Sequence, residues 1–135
     1  MTEGATRDRP RPATPPAPSV EPVLSIAGLV VDFPLGTRTV CAVDDLSLTI
    51  RPGQRLGVVG ESGSGKSTVA MAVLGLLEAP GRITAGSITL GELELANADE
   101  RVLRTVRGGR IAMIFPDALG SLNPVKPIGF QLPEA

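Results

Sequence analysis

Apolar positions fall into blocks along this chain, and the blocks have different periods. From Val23 to Phe33 (VLSIAGLVVDF) β-branched residues partly alternate with small and polar ones, and from Val43 to Ile50 (VDDLSLTI) the alternation is cleaner, up to a turn at Pro52-Gly53. Both stretches read as strands, because a period of two turns one face toward a core. Asp44 and Asp45 then fall at the start of the second strand. The run Leu56-Gly57-Val58-Val59 is short and wholly apolar, the pattern of a strand buried on both faces. Lys66 to Leu77 follows as a helix that is apolar nearly all round, which predicts burial on several sides, with Pro80-Gly81 ending it. Gly86 to Leu95 (GSITLGELEL) predicts a hairpin turning at Gly91, and Asp99 to Val106 a polar helix with Leu103 and Val106 on one face. Arg110 to Phe115 (RIAMIF) predicts a second buried strand.

Residues 1–22 have no such periodicity. They hold six of the thirteen prolines, mixed with Arg7, Arg9, Arg11 and small residues, which predicts a disordered, locally extended tail. The folded portion is therefore expected to span 23–135.

The segment joining the short apolar run to the helix carries the chemistry. Gly60-Glu61-Ser62-Gly63-Ser64-Gly65-Lys66-Ser67 is G-x-x-x-x-G-K-S, the spacing of a phosphate-binding P-loop, with a predicted strand before it and a predicted helix after it. Glycines at 60, 63 and 65 let the loop wrap tightly, so that successive amides converge on phosphate oxygens at a helix N-terminus. Lys66 is placed to reach the β- and γ-phosphates, and the Ser67 hydroxyl to ligate the bridging Mg²⁺. A Gly/Ser-rich turn that merely precedes a lysine is the plainer alternative. Only two lysines occur, Lys66 and Lys126, and one of them falls where the motif requires it.

Composition narrows the remaining classes. The chain has 135 residues, 42% of them hydrophobic, enough for one core. A net charge of −1, 2% aromatic residues and neither Trp nor Tyr give no basis for nucleic-acid binding. The absence of histidine removes an imidazole base or ligand, and with it a Ser-His triad on Ser62 or Ser64. Cys41 is the single cysteine, so an intrachain disulfide is impossible, and its expected place is a small buried apolar site. No apolar stretch approaches the roughly 18 residues of a membrane-spanning helix, and no signal-peptide core is present at the N-terminus, which predicts a cytoplasmic location.

Three segments together resemble the ATP-binding subunits of ABC transporters, most closely the branch serving oligopeptide, dipeptide and nickel importers. They are GLVVDFPLGTRTVCAVDDLSLTIRPGQRLGVVGESGSGKST, then GSITLGELEL with LRTVRGGRIAMIF, and then Ser121-Leu122-Asn123-Pro124. The resemblance covers about residues 24–135. It implies an α/β P-loop NTPase fold, here the N-terminal part of an ABC-type nucleotide-binding domain, with an antiparallel β subdomain and an incomplete parallel sheet. It further implies ATP and Mg²⁺ as ligands, with Gly60, Gly63, Ser64, Gly65, Lys66, Ser67 and Thr68 as phosphate and Mg²⁺ contacts, and Ser67 as the metal ligand. Phe33 matches the aromatic residue that stacks on adenine in the family, while a core-packed phenylalanine reads equally well from the residues alone.

At Pro116 the family pattern has a glutamine that helps bind Mg²⁺, positions the attacking water and couples to the membrane partner. Proline has no side-chain donor or acceptor, so although it suits an extended Phe115 before it, the change is expected to damage the site unless Asp117 swings in as a substitute. A rival reading makes Ile111 to Phe115 a Walker B strand with Asp117 as its carboxylate, but Pro116 then intervenes and SLNP has no role. The family's signature motif, Walker B glutamate and switch histidine are missing from the sequence, so the resemblance implies a truncated ATP-binding subunit, with no complete set of catalytic residues. Permease subunits of an inner-membrane transporter and a second nucleotide-binding subunit are the implied partners, with peripheral attachment to the cytoplasmic face of the membrane. A nucleotide-binding fragment without hydrolysis is the alternative. Because a parallel sheet is stable when covered on both faces, the isolated chain is expected to be marginally folded or to aggregate.

Overall fold

The computed structural model describes residues 20–115 and 123–131. The tail at 1–19, Pro116, Asp117, Ser121 and Leu122 lie outside the described residues, and with them the expectations attached to the tail and to the glutamine-loop position.

Two long strands form first, β1 (Leu24–Leu35) and β2 (Arg38–Ile50), followed by helix α1 (Lys66–Leu74), strands β3 (Arg82–Leu90) and β4 (Leu93–Glu94), helix α2 (Glu100–Val106) and a single helical turn, α3 (Ile128–Gln131). The strands build one antiparallel sheet in the order β2-β1-β3-β4. β1 is central and pairs along most of its length with both neighbours, Ile26 opposite Leu48 in β2 and opposite Ile88 in β3. The predicted hairpin turns at Gly91-Glu92, with Leu90 paired to Leu93.

Alternation sets which face is covered. Ile26, Leu29, Val31, Ile88 and Leu90 point to one side and are buried, where they meet Ala72 and Val73 of α1 and Leu103 and Val106 of α2. The sheet bends over this core through bulges. At Gly28 (φ +58°) β1 shifts register, and opposite it Asp45 takes φ +48° inside β2, not at a strand start as its sequence position suggests. The Ser47 hydroxyl accepts a hydrogen bond from the Gly28 amide at 2.9 Å and holds the bulge.

Gly86 in β3 crosses at this bend with φ +90°, and a Cβ there would run into the backbone of Gly28 and Leu29. Neither obstacle is a side chain that can swing away. Gly86→Ala is therefore expected to destabilise the sheet by at least the roughly 1–3 kcal/mol of a non-glycine residue held in that conformation, read as a fall in urea midpoint. An unchanged midpoint would show that the bend relaxes freely.

Four sequence expectations are corrected. Leu56–Val59 is not a strand: it pairs with no ladder, and Val58 is 59% and Val59 93% exposed. Arg110–Phe115 is likewise no strand; apart from one parallel bridge between Arg107 and Ile111 it has no ladder, and Ile114 is 97% exposed. An apolar run becomes a buried strand only if neighbouring strands supply its hydrogen bonds, and among the described residues none flanks either segment. Instead, Leu56, Val58, Ile111 and Met113 line an apolar cavity of about 270 Å³ against α1 and the β1–β2 ribbon.

Helix α1 ends at Leu74 instead of Leu77, because Gly75 adopts the left-handed conformation (φ +62°) and turns its amide back to Ala72 O, with Leu76 N bonded to Met71 O. Only Ala72, Val73 and Leu74 of α1 are buried; as successive residues they point in different directions, so it is the last turn that is covered on several sides, while Val69 and Ala70 line the apolar cavity. Cys41 is exposed, not buried, for β2 starts at Arg38 and the β1–β2 hairpin tip, with Leu35 and Val40 also exposed, projects past the core.

No helix among the described residues is long and apolar enough to cross a membrane. The exposed apolar segments and the open cavity favour a broad, weakly cooperative thermal transition; a sharp one from a soluble monomer would contradict this account of the packing.

Candidate functional site

The loop from Gly60 to Gly65 passes into α1 without a side-chain cap. Its N-cap residue is Gly65, in the left-handed conformation (φ +86°, ψ 0°), and no side chain bonds to the first-turn amides. A helix start without a capping side chain leaves N–H donors directed into the loop, at the positive end of the helix dipole. Gly63 also has positive φ (+81°), and Ser64 N closes a turn on Glu61 O at 3.3 Å. The result is a concavity of about 390 Å³ lined by the seven successive residues Ser62 to Thr68.

Glycine is required at 65 for two reasons. Its φ disfavours any side chain, and a Cβ would collide with the carbonyl oxygen of Ala42 in β2. The loop therefore lies directly on the β1–β2 ribbon. At Gly60 a Cβ would lie 2.7 Å from Ser64 Oγ, so this end of the loop also closes tightly.

Lys66 folds back over the loop. Its ammonium donates to Gly60 O at 2.9 Å, Glu61 O at 2.5 Å and Ser64 Oγ at 3.1 Å. Three donors meet three oxygens, so the amine sits in the mouth of the concavity and not out in solvent. The Ser67 side chain is exposed and Thr68 partly buried, both on the lining of the same concavity. Among the described residues no group of three or more His, Cys, Asp or Glu could hold a metal ion.

The structure thus brings Gly63, Ser64, Gly65, Lys66, Ser67 and Thr68 together, with Gly60 at the loop's other end. Phe33 stands apart from this lining. It is partly buried at the edge of the core, and its ring edge faces Gly81, where a Cβ would lie 2.5 Å from Cε1.

The neighbouring thiol of Cys41 donates to Val43 O at 3.2 Å. Partial desolvation, then the hydrogen bond and charge of Asp32 and the charge of Asp44, raise its pKa above the ordinary thiol value. Alkylation of the folded chain by iodoacetamide should accordingly need a higher pH than an unperturbed thiol, and Asp32→Asn should shift the rate profile toward lower pH. Coincident profiles for the two proteins would remove Asp32 as a cause.

Sequence reasoning missed Arg107. Its guanidinium donates from Nε to Leu74 O at 2.7 Å and from Nη2 to Gly75 O at 2.9 Å, and its Nη1 pairs with Glu100 Oε1 at 2.8 Å. A side chain reaching back 33 residues to main-chain carbonyls leaves no local signature in the sequence.

Comparison with known proteins places the chain among relatives. The oligopeptide transport ATP-binding protein OppD of Salmonella typhimurium is 48% identical over 112 residues, covering 83% of this chain and 33% of that protein. The dipeptide transport ATP-binding protein DppD of Escherichia coli is 39% identical over 113 residues, 84% of this chain and 35% of that protein. A putative peptide import ATP-binding protein of Brucella ovis is 42% identical over 122 residues, 86% of this chain and 36% of that protein. The chain spans about a third of the length of these curated relatives. In fold it is similar to the ATP-binding cassette MJ0796, solved as a dimer in a post-hydrolysis state bound to ADP and Pi, with a TM-score of 0.55 at 22% identity over 62% of this chain and 34% of that one. Residues 43–125, well over half of the chain and including the whole loop from Gly60 to Thr68, match the ABC transporter family, and the chain belongs to that family.

Proposed function

We propose that the loop Gly60–Thr68 binds the polyphosphate of ATP as its Mg²⁺ complex. The observation that carries this is the concavity itself: left-handed glycines at 63 and 65, a helix start with no side-chain cap and the Lys66 ammonium converge on one space. An anion entering it gains the first-turn amides and the dipole of α1. Lys66 then exchanges its loop oxygens for phosphate oxygens, a charge-assisted contact that replaces neutral acceptors. Ser67 is assigned to Mg²⁺, which would neutralise charge on the bridged phosphates, and Phe33 to the adenine ring. Phe33→Ala is then expected to weaken ATP binding while leaving binding of inorganic triphosphate unchanged; equal effects on both would make Phe33 a packing residue only.

The names of the relatives support a wider assignment. OppD, DppD and the Brucella protein are ATP-binding proteins of peptide transport or import. The protein to which this sequence belongs is accordingly proposed to be the energy-coupling subunit of a peptide importer. In that assignment it docks on permease subunits at the cytoplasmic face of the membrane and works beside a second nucleotide-binding subunit.

Pro116 favours a second reading, in which nucleotide is bound but not hydrolysed, since proline offers no side-chain group to orient water or metal. Calorimetric titration with Mg·ATP and an assay of phosphate release separate the two. Saturable binding without turnover supports the second reading for this chain, turnover above background supports hydrolysis, and no binding removes both.

A further inference from the structure

We propose that Arg107 is a positioning residue for the nucleotide loop, acting from the opposite end of α1; the inference rests on the nucleotide-binding reading of that loop. Helix α1 has nine residues, and its N-terminal end forms the floor of the concavity. Its C-terminal end is closed in two parts. Gly75 N and Leu76 N return to Ala72 O and Met71 O, which leaves the carbonyls of Leu74 and Gly75 to be satisfied from elsewhere. The Arg107 guanidinium takes both, at 2.7 and 2.9 Å. Its positive charge lies at the negative end of the helix dipole, so geometry and electrostatics act in the same sense.

The anchor is itself held. Arg107 directly follows α2, its amide bonded to Leu103 O at 3.0 Å, and Leu103 Cδ1 lies 2.5 Å from where a Cβ on Gly75 would stand. The side chain of Arg107 is only 22% exposed, whereas Glu100, its ionic partner, is 64% exposed. Arg107 also begins the turn that leads to Ile111, where Gly108 N bonds to Ile111 O at 2.9 Å. One guanidinium therefore ties the helix that presents the phosphate-binding amides to the segment that runs on toward position 116. A rigid helix transmits a displacement of its last turn to its first, so loosening the anchor tilts the loop relative to Ala42 of β2.

Hydrogen exchange of the nucleotide-free chain tests this without depending on ATP. In Arg107→Ala the two hydrogen-bonded amides of the loop and its junction with α1, Ser64 (to Glu61 O) and Val69 (to Gly65 O), are expected to exchange at least tenfold faster than in the parent, while those in the β1–β2 pairing stay within about twofold. Arg107→Lys, which keeps the charge but cannot span both carbonyls with a planar fork, should lie between. Glu100→Gln, which removes only an exposed ion pair, should leave the loop within about twofold of the parent. Two results would overturn the proposal: no change at Ser64 and Val69 in Arg107→Ala, or equal acceleration of loop and sheet in both Arg107 variants, which would make the residue a general stabiliser. A parallel Mg·ATP titration of the parent separates the two claims, since failure to bind removes the nucleotide reading and leaves the exchange result to decide the role of Arg107.

Discussion

Gly65→Ala should abolish measurable binding of Mg·ATP. The backbone at 65 is left-handed, and a side chain there costs on the order of 1–2 kcal/mol before any contact is considered. A Cβ would also meet the carbonyl oxygen of Ala42, a main-chain atom in a paired strand that cannot move aside without disturbing β2. The loop's cheapest response is to lift off the ribbon, which separates the first-turn amides of α1 from the space lined by Ser62 to Ser64. The affinity loss should exceed tenfold, while the sheet, whose core lies on Ile26, Leu29 and Ile88, keeps its free energy of urea unfolding within about 1 kcal/mol of the parent's. Retained affinity, measured by titration calorimetry, would mean that the amides do not act as a fixed set.

Lys66→Ala should weaken Mg·ATP binding tenfold or more, about 1.4 kcal/mol. Among the described residues the ammonium is the one cationic side chain on the concavity's lining, and it stands within 2.5 to 3.1 Å of three loop oxygens, Ser64 Oγ on that lining and the Gly60 and Glu61 carbonyls beside it. Its removal deletes a point charge from the phosphates and also the tie that draws Gly60, Glu61 and Ser64 together. The two contributions are separable. Lys66→Arg keeps the charge but its rigid fork does not fit the same three oxygens, so partial recovery of affinity marks the electrostatic share. Affinity equal to that of the parent in Lys66→Ala would detach the loop from nucleotide.

The parts of this fold that were legible in the sequence are those whose partners are near in the chain or whose pattern is strict. The alternation in Val43–Ile50, the turn at Gly91 and the Leu103/Val106 face of α2 each encode their own burial. The shape of the loop was legible because it depends on spacing, three glycines and a lysine, more than on distant contacts. Leu56–Val59 and Arg110–Phe115 depart from their predicted strands for the converse reason. Their composition states that they prefer to be buried, but strand formation needs neighbours in register, and that information is not local. The early end of α1 was available in principle, as a left-handed glycine at 75 outranks the prolyl turn five residues later. Arg107 and the exposure of Cys41 were not available, because one depends on a long side chain bridging two helices and the other on how far a hairpin tip extends past its core.

Binding of a polyphosphate by the backbone amides of one short loop carries the proposed function. Its most direct measurement is a titration of the ¹⁵N-labelled chain with Mg·ATP, followed by amide chemical shifts. Saturable shifts at Ser62 through Thr68, with the amides of β1 and β3 little changed, are the expected result. Shifts confined to the apolar cavity beside Leu56 and Met113, or no saturable shift at Gly63, Gly65 and Lys66, would contradict it.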